Sequence, residues 1–265
     1  MNNFSNFIRN YFSYKIDQKI KHLILHVTNH CNFRCAHCFV DFVNPKKDLK
    51  LSDYKKISEK VNDLFWLDIG GGEPFLRKDL YEIVNLFKKQ VVSIPTNGWL
   101  KKNIVDQVTE MDNKNTEIVI NFSLDGLENT HNQVRKNKDS WNKVWEAHEE
   151  LKKIKFVKIR FITVIHEGNY DEILPLMKLI KKNGADFHSV ILLRGDPLDS
   201  TVKLPTFDKL EKLAPKMFDI LETYDYGENN LSAHLLKNYH RYLRKTSIDT
   251  LKKQTQVIPC LAEIG

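Results

Sequence analysis

The stretch HLILHVTNHCNFRCAHC, residues 22–38, joins a short apolar run to a closely spaced set of cysteines. The apolar and β-branched residues of its first half predict a buried strand. The cysteines that follow, Cys31, Cys35 and Cys38, have the spacing C-x3-C-x2-C. Thiolates on one loop can converge on one centre, and sulfur ligands suit zinc or an iron–sulfur cluster.

The number of available ligands favours the cluster. A structural zinc site needs a fourth ligand, but His37 adjoins Cys38 and would point away, and Cys260 lies more than 200 residues further along the chain. Three ligands on a cubic cluster leave one iron open, which is the mark of a reactive site. The alternatives are a zinc clip and three buried thiols.

Apolar runs alternate with helical periodicity from residue 22 onward. Between the runs, apolar residues recur at helical spacing, as at Tyr54, Ile57, Val61 and Leu64 or at Leu80, Ile83, Val84 and Phe87. Strand–helix repeats predict a parallel sheet, either doubly wound or a partial barrel. Polar, turn-forming residues follow every strand, which favours one open rim. The predicted strands are residues 22–28, 66–69, 91–95, 117–123, 158–165 and 187–193.

Composition excludes several protein classes. With 265 residues, 42% of them hydrophobic and 28% charged, the chain is neither disordered, collagen-like nor a coiled coil. It lacks an apolar run of the roughly 20 residues that span a bilayer, and it lacks a signal peptide, so we expect a cytoplasmic protein. The net charge of +7 comes mainly from dispersed lysines. It favours a solvated basic surface over a face for phosphate, nucleic acid or anionic lipid.

The cysteine loop after the first strand resembles that of the radical S-adenosylmethionine enzymes. The resemblance implies an α/β fold, a partial (β/α)6 TIM-like barrel with additional C-terminal helices. It also implies a [4Fe–4S] cluster on Cys31, Cys35 and Cys38, whose fourth iron is chelated by S-adenosylmethionine. One electron from the cluster would cleave that cofactor to a 5′-deoxyadenosyl radical, which would abstract a hydrogen atom from a substrate.

Further motifs match the same family at successive strand ends. Gly71, Gly72 and Glu73 resemble the GGE motif that binds the methionine amino group. Arg135 is expected to pair with the cofactor carboxylate, or else to be a surface arginine. Arg194 is our candidate substrate anchor, with a surface turn as the alternative. The remaining residues implied as S-adenosylmethionine contacts are Asn97, Ser123, Asp125 and Val164.

The two ends of the chain have a different character. The pattern of residues 1–21 predicts an amphipathic helix, packed on the domain or on a lipid surface. We expect residues 22–200 to form the (β/α)6 core and residues 201–265 to form a helical C-terminal segment. Residues 257–262, with Cys260, resemble the start of a SPASM or twitch region, which binds auxiliary iron–sulfur clusters. We expect the chain to be truncated before that region, although Cys260 alone fits a free thiol in a shortened protein.

The sequence leaves the substrate open. The aromatic N-terminal segment and basic surface favour a small molecule such as a sugar, nucleoside or lipid precursor. The alternatives are a ribosomally made peptide and a non-catalytic iron–sulfur binding or electron-transfer protein. The resemblance implies a flavodoxin- or ferredoxin-type electron donor as partner, and no transmembrane segment or nucleic acid is expected.

Joint replacement of Cys31, Cys35 and Cys38 by alanine is predicted to abolish the brown chromophore of the anaerobically reconstituted chain, because each thiolate contributes one of three iron bonds. Iron and sulfide analysis measures the effect. The matched control, Cys260→Ala, should change the iron content little. A triple variant that keeps about four irons and four sulfides would contradict the assignment.

Overall fold

The computed structural model describes residues 20–40, 42, 47–61, 63–112 and 114–224, and a few residues between 238 and 253. Of the helix predicted for residues 1–21, residues 1–19 lie outside the described residues, as does the segment around Cys260, and residues 20 and 21 precede the first strand without helical structure. Within the described ranges, no helix is both long and apolar enough to cross a membrane.

Strands and helices alternate through the described chain. The strands are β1 (His22–Thr28), β2 (Leu64–Gly71), β3 (Lys89–Thr96), β4 (Glu117–Ser123), β5 (Val157–Ile165) and β6 (Phe187–Leu192). The helices are α1 (Leu51–Lys60), α2 (Leu80–Leu86), α3 (Lys101–Thr109), α4 (Glu128–Arg135), α5 (Ser140–Leu151), α6 (Ile173–Lys182) and α7 (Phe207–Glu222). Short 3-10 helices cover Pro74–Leu76 and Glu167–Glu172.

The six strands form one parallel sheet in the order β1-β2-β3-β4-β5-β6. Because each connection moves one strand in the same direction and such crossovers are right-handed, the connecting helices lie on one face of the sheet. A doubly wound sheet would reverse direction and carry helices on both faces. The α/β fold is therefore the predicted partial barrel, open between the edge strands β1 and β6.

Alternation along each strand separates an apolar outer face from an inner face. Val92 and Ile94 of β3 and Ile118 and Ile120 of β4 are fully buried in the main core beneath the helices. The residues between them face the inside of the barrel. A second cluster joins α6 to α7, so the helix that follows Pro205 packs beside β6.

In two places the observed helix ends before the point that the apolar periodicity predicts. Leu64, expected on a helix face, is the first residue of β2, and Phe87, expected to continue α2, has extended backbone at its end. Both side chains are buried in the same core as the helical positions. An apolar residue at the correct spacing marks burial in either conformation, so periodicity does not locate the end of the helix.

Candidate active site at the carboxyl ends of the strands

The cysteine loop rests on Gly71, the last residue of β2, and on Gly72, which follows it. Gly72 N–H donates to the Thr28 carbonyl oxygen at 2.8 Å. A Cβ atom on Gly72 would stand 2.2 Å from the His30 carbonyl oxygen and 2.9 Å from Cys31 Cβ. One on Gly71, whose φ is +144°, would stand 2.5 Å from the Thr28 oxygen. The close approach of the two segments therefore requires glycine at both positions.

The outer side of the loop is held by two other segments. Ala36 N–H donates to the carbonyl oxygen of Val134 in α4 at 2.7 Å. After β6, Leu198 N–H donates to the Cys38 carbonyl at 2.8 Å and Asp199 N–H donates to the Ala36 carbonyl at 2.9 Å. The segment after β6 thus reaches across the open side of the barrel to the loop that follows β1.

Glu73 is buried and joins the end of β2 to the end of β3. Its carboxylate accepts hydrogen bonds from Asn97 N–H at 2.7 Å, the Thr96 hydroxyl at 3.0 Å and Phe75 N–H at 3.3 Å. Burial raises the pKa of Glu73 to about 7. The three hydrogen bonds favour the charged form and oppose this rise, but the effect of burial is larger. Through these hydrogen bonds the buried Glu73 side chain holds the ends of β2 and β3 together.

Asn97 connects the end of β3 to the cysteine loop. Its Nδ2 donates to Asn32 Oδ1 at 2.8 Å, and its Oδ1 accepts from Trp99 N–H at 3.0 Å. The Trp99 ring meets the Phe33 ring edge to face, with centroids 5.6 Å apart. These contacts fix the backbone between the first two cysteines.

Asp125 and Arg135 form a buried ion pair under the loop. Arg135 Nη2 lies 2.6 Å from Asp125 Oδ2, and Arg135 Nη1 donates to Cys35 Sγ at 3.5 Å. Asp125 Oδ1 accepts from Val164 N–H at 2.9 Å. Burial alone would raise the pKa of Asp125, but the Arg135 guanidinium holds it well below its usual range. The pair joins β4, α4, β5 and the second cysteine.

Histidine rings enclose this ion pair without adding charge. His37 Nε2 stands 3.8 Å from Asp125 Oδ2, and burial lowers the pKa of His37 to about 4. Burial, together with Arg135, lowers the pKa of His131 to about 3. Both rings are neutral at neutral pH, so Arg135 supplies the positive charge that Asp125 requires. The His166 ring lies nearly parallel to that of His37, with centroids 6.4 Å apart.

The cysteine side chains fit an iron–sulfur cluster. Cys31 Sγ accepts a hydrogen bond from Phe33 N–H at 3.4 Å, and Arg135 donates to Cys35, so both sulfurs are acceptors. Burial raises the pKa of Cys31 to about 11. Burial also raises the pKa of Cys35, although the Arg135 guanidinium opposes this rise. Buried thiolates need positive charge close by, and bound metal supplies it.

The arrangement differs from a site for one metal ion. In the ranges that the structure describes, no three His, Cys, Asp or Glu side chains are grouped to hold a single ion. On a cubic cluster each thiolate bonds a different iron, so the sulfurs stand further apart than around zinc.

The residues predicted to contact S-adenosylmethionine fall into two groups. Ser123 and Val164 are partly exposed on the inner face of β4 and β5, where a ligand could reach them. The polar side chains of the other group, Glu73, Asn97, Asp125 and Arg135, are buried and already bonded within the protein. Arg194 is exposed, with its guanidinium 5.9 Å from the Phe39 ring centroid. Their roles toward ligands stay predictions.

Two further residues that support the strand ends, Asn169 and Asp48, were not predicted from the sequence. Asn169 Nδ2 donates to the Asp125 and Val164 carbonyl oxygens, and its Oδ1 accepts from His166 N–H at 2.9 Å. Asp48 accepts from the Thr28 hydroxyl at 2.6 Å. Asn169 lies in the turn after β5, where its three-residue spacing from His166 was the available signal. Asp48 lies in an irregular segment whose sequence has no signal that would predict its role.

Comparison with known proteins places these features in one family. The model of the Radical SAM superfamily matches residues 25–180. GTP 3′,8-cyclase of Helicobacter pylori (strain HPAG1) is 26% identical over 239 residues, covering 84% of this chain and 71% of the cyclase. The enzyme of the same name from Staphylococcus carnosus (strain TM300) is 27% identical over 255 residues, covering 84% of this chain and 72% of its own.

A solved structure has the same fold. Streptococcus suis SuiB bound to S-adenosylmethionine superposes with a TM-score of 0.63 at 18% identity, covering 81% of this chain and 51% of SuiB. This chain thus spans about half the length of SuiB. SuiB has also been solved bound to its precursor peptide SuiA.

Replacing Asp125 by alanine should lower the free energy of unfolding by about 3–5 kcal/mol, because it leaves Arg135 buried without its counter-charge. Urea denaturation of the anaerobically reconstituted protein measures the change. The matched control is Glu150→Ala, which breaks an exposed pair with Lys153 and should alter stability little. Equal effects of the two exchanges would show that the Asp125–Arg135 pair carries no special constraint.

Glu73 predicts a specific pH dependence. Its pKa of about 7 in the folded chain lies above the ordinary 4.5, so folded Glu73 keeps a proton that the unfolded chain has released. Stability from this group is therefore full below about pH 4.5 and declines as the pH rises to about 7. The wild type should lose stability relative to Glu73→Gln across that window, measured by urea denaturation. An unchanging difference would contradict the raised pKa, and exposed Glu59→Gln controls for the charge change.

Proposed function

Because this chain belongs to the Radical SAM superfamily, we propose that it is an enzyme that abstracts a hydrogen atom from a small-molecule substrate. Cys31, Cys35 and Cys38 would hold a [4Fe–4S] cluster. S-adenosylmethionine would bind along the strand ends, from the Gly71–Gly72 turn to Ser123 and Val164. The bound cofactors supply one-electron cleavage of the sulfonium and the hydrogen-abstracting radical.

The observation that carries this proposal is the connection between the cysteine loop and Arg135. A guanidinium that bonds both Cys35 Sγ and Asp125 keeps positive charge beside a thiolate and fixes its position. The glycine turn leaves backbone without side chains beside Cys31. Together these residues hold three sulfurs at the barrel mouth and leave Ser123 and Val164 facing inward.

The protein's own contribution is binding, orientation and exclusion of water. Phe33, Cys35 and His37 are buried, so the inner side of the loop is shielded from solvent. The Asp125–Arg135 pair, which contacts Cys35 through Arg135 Nη1, helps to hold that shield in place. Shielding matters because water and oxygen would quench a radical.

Small-molecule chemistry is favoured by the relatives. The Helicobacter pylori and Staphylococcus carnosus proteins are named for a reaction on GTP, a nucleotide. SuiB has a peptide bound in one structure, but its 18% identity to this chain extends to the fold alone. We therefore propose a substrate of nucleotide, nucleoside or sugar type before a peptide. The family assignment also favours an enzyme over a non-catalytic electron carrier.

The finer family position also belongs to the proposal. The motifs after β3 and β4, Thr96-Asn97-Gly98 and Ser123-Leu124-Asp125-Gly126, and the segment around Cys260 resemble the SPASM or twitch subgroup. In that subgroup Cys260 would serve an auxiliary iron–sulfur cluster. A flavodoxin- or ferredoxin-type donor would supply the electron.

Anaerobic incubation of the reconstituted chain with dithionite and S-adenosylmethionine is expected to form methionine and 5′-deoxyadenosine, quantified by chromatography and mass spectrometry. The Cys31/Cys35/Cys38 alanine variant should form neither product. Deuterated nucleotides should transfer deuterium into 5′-deoxyadenosine if a nucleotide is the substrate. A wild-type chain that holds the cluster but forms no 5′-deoxyadenosine would refute the proposed function, and transfer from a peptide alone would replace the substrate class.

A further inference from the structure

The inner face of the barrel carries polar side chains at mid-height. Asp68 lies between the core residues Leu67 and Ile69 on β2, and Arg160 lies between Ile159 and Phe161 on β5. Because the neighbours of each pack outward under the helices, these side chains face the inside of the barrel. Ser93 of β3 and Asn121 of β4 occupy the same face, as the strand register shows.

Arg160 has little to balance its charge. Its Nε donates to Asn121 Oδ1 at 2.6 Å, and among the described residues its two Nη nitrogens have no hydrogen-bond partner and no ion pair. The side chain is only partly exposed, and burial lowers its pKa. Charges removed from water are normally paired, because the loss of solvation is otherwise not recovered.

The carboxylate that acts on Arg160 through space is already committed. Asp68 Oδ2 bonds His22 Nε2 at 2.7 Å, and Asp68 Oδ1 accepts from Trp66 Nε1 at 2.9 Å and from the Ser93 hydroxyl. Asp68 opposes the lowering of the Arg160 pKa but makes no contact with the guanidinium. Asp68 therefore does not neutralise the charge of Arg160 on the inner face.

Asn121 adds a second kind of free donor beside Arg160. The two residues are register partners on β4 and β5, so they lie side by side. Because Asn121 Oδ1 accepts from Arg160 Nε, its Nδ2 is turned away from that bond, and in the described part of the chain it has no partner. Two guanidinium nitrogens and one amide nitrogen, all donors, thus lie together on the inner face.

We propose that Arg160 and Asn121 bind an anionic group, a phosphate or a carboxylate, carried by the small-molecule substrate. The inference rests on the proposed function and narrows its substrate class to small organic anions. A planar guanidinium edge matches either oxyanion in a bidentate manner. Arg160 precedes Val164 by four residues, roughly 13 Å along the strand. The anion would therefore lie deep in the barrel, and the rest of the substrate would extend toward the strand ends.

A purely structural role for Arg160 predicts a different behaviour. An arginine that only links β4 to β5 through Asn121 would stabilise the sheet and bind no ion. An arginine that anchors substrate would bind simple anions through its Nη nitrogens. Anion binding, measured separately from stability, therefore distinguishes the two roles.

The test is calorimetric titration of the reconstituted full chain with inorganic phosphate and with acetate, at constant ionic strength. Arg160→Gln should weaken binding of the preferred anion about tenfold or more, since it removes charged hydrogen bonds. Lys158→Gln is the matched control, because it removes a positive charge from the same strand at an exposed position paired with Asp186. It should leave the affinity unchanged. Arg160→Lys keeps the charge without the planar fork and should bind with intermediate affinity.

Saturable binding that depends on Arg160 supports the inference, and the preferred probe identifies a phosphate ester or a carboxylate. Absence of saturable binding, or equal affinity in wild type, Arg160→Gln and Arg160→Lys, overturns it. If Arg160→Gln does not fold, Arg160→Lys carries the comparison. Anion binding through Arg160 in a chain that forms no 5′-deoxyadenosine would refute only the proposed function. Formation of 5′-deoxyadenosine without Arg160-dependent binding would refute only this inference.

Discussion

The Asp125–Arg135 ion pair is the constraint on which the strand ends depend. Removing both charges from water is unfavourable, and it is recovered only where the geometry is good and the remaining hydrogen bonds are made. Asp125 is compensated further by Val164 N–H and Arg135 by Cys35 Sγ, while the buried Arg135 Nε has no hydrogen-bond partner among the described residues. Because none of these partners can shift without stranding a charge, β4, β5, α4 and the cysteine loop are fixed relative to one another.

Buried polar groups extend this constraint around the barrel mouth. Glu73 joins the ends of β2 and β3, and Asn97 joins β3 to the cysteine loop. The Glu73 carboxylate and the Asn97 amide make these hydrogen bonds within the protein, so they hold the strand ends together without a ligand. A site organised in this way is preformed, which reduces the ordering that ligand binding would otherwise require.

The sequence predicted the strands and the cysteine loop because both have local signatures. Short apolar and β-branched runs identified all six strands, and the cysteine spacing identified the loop. It did not predict which polar residues at the strand ends point to solvent and which point to other protein groups. Asp125 and Ser123 are two residues apart and both are implied cofactor contacts, yet Asp125 is fully buried and Ser123 is partly exposed. That difference depends on Arg135, which reaches Asp125 from another element, and no local pattern encodes it.

The two faces of the sheet divide stability from chemistry. Outward side chains such as Ile94 and Ile120 are fully buried beneath the helices and supply most of the apolar packing. Because that packing does not involve the inner face, polar side chains can stand there at a cost that the outer core offsets. An inner face filled with leucine and valine would be more stable but would have nothing to recognise a polar ligand. The unbalanced guanidinium of Arg160 is therefore tolerable in a barrel whose stability comes from its other side.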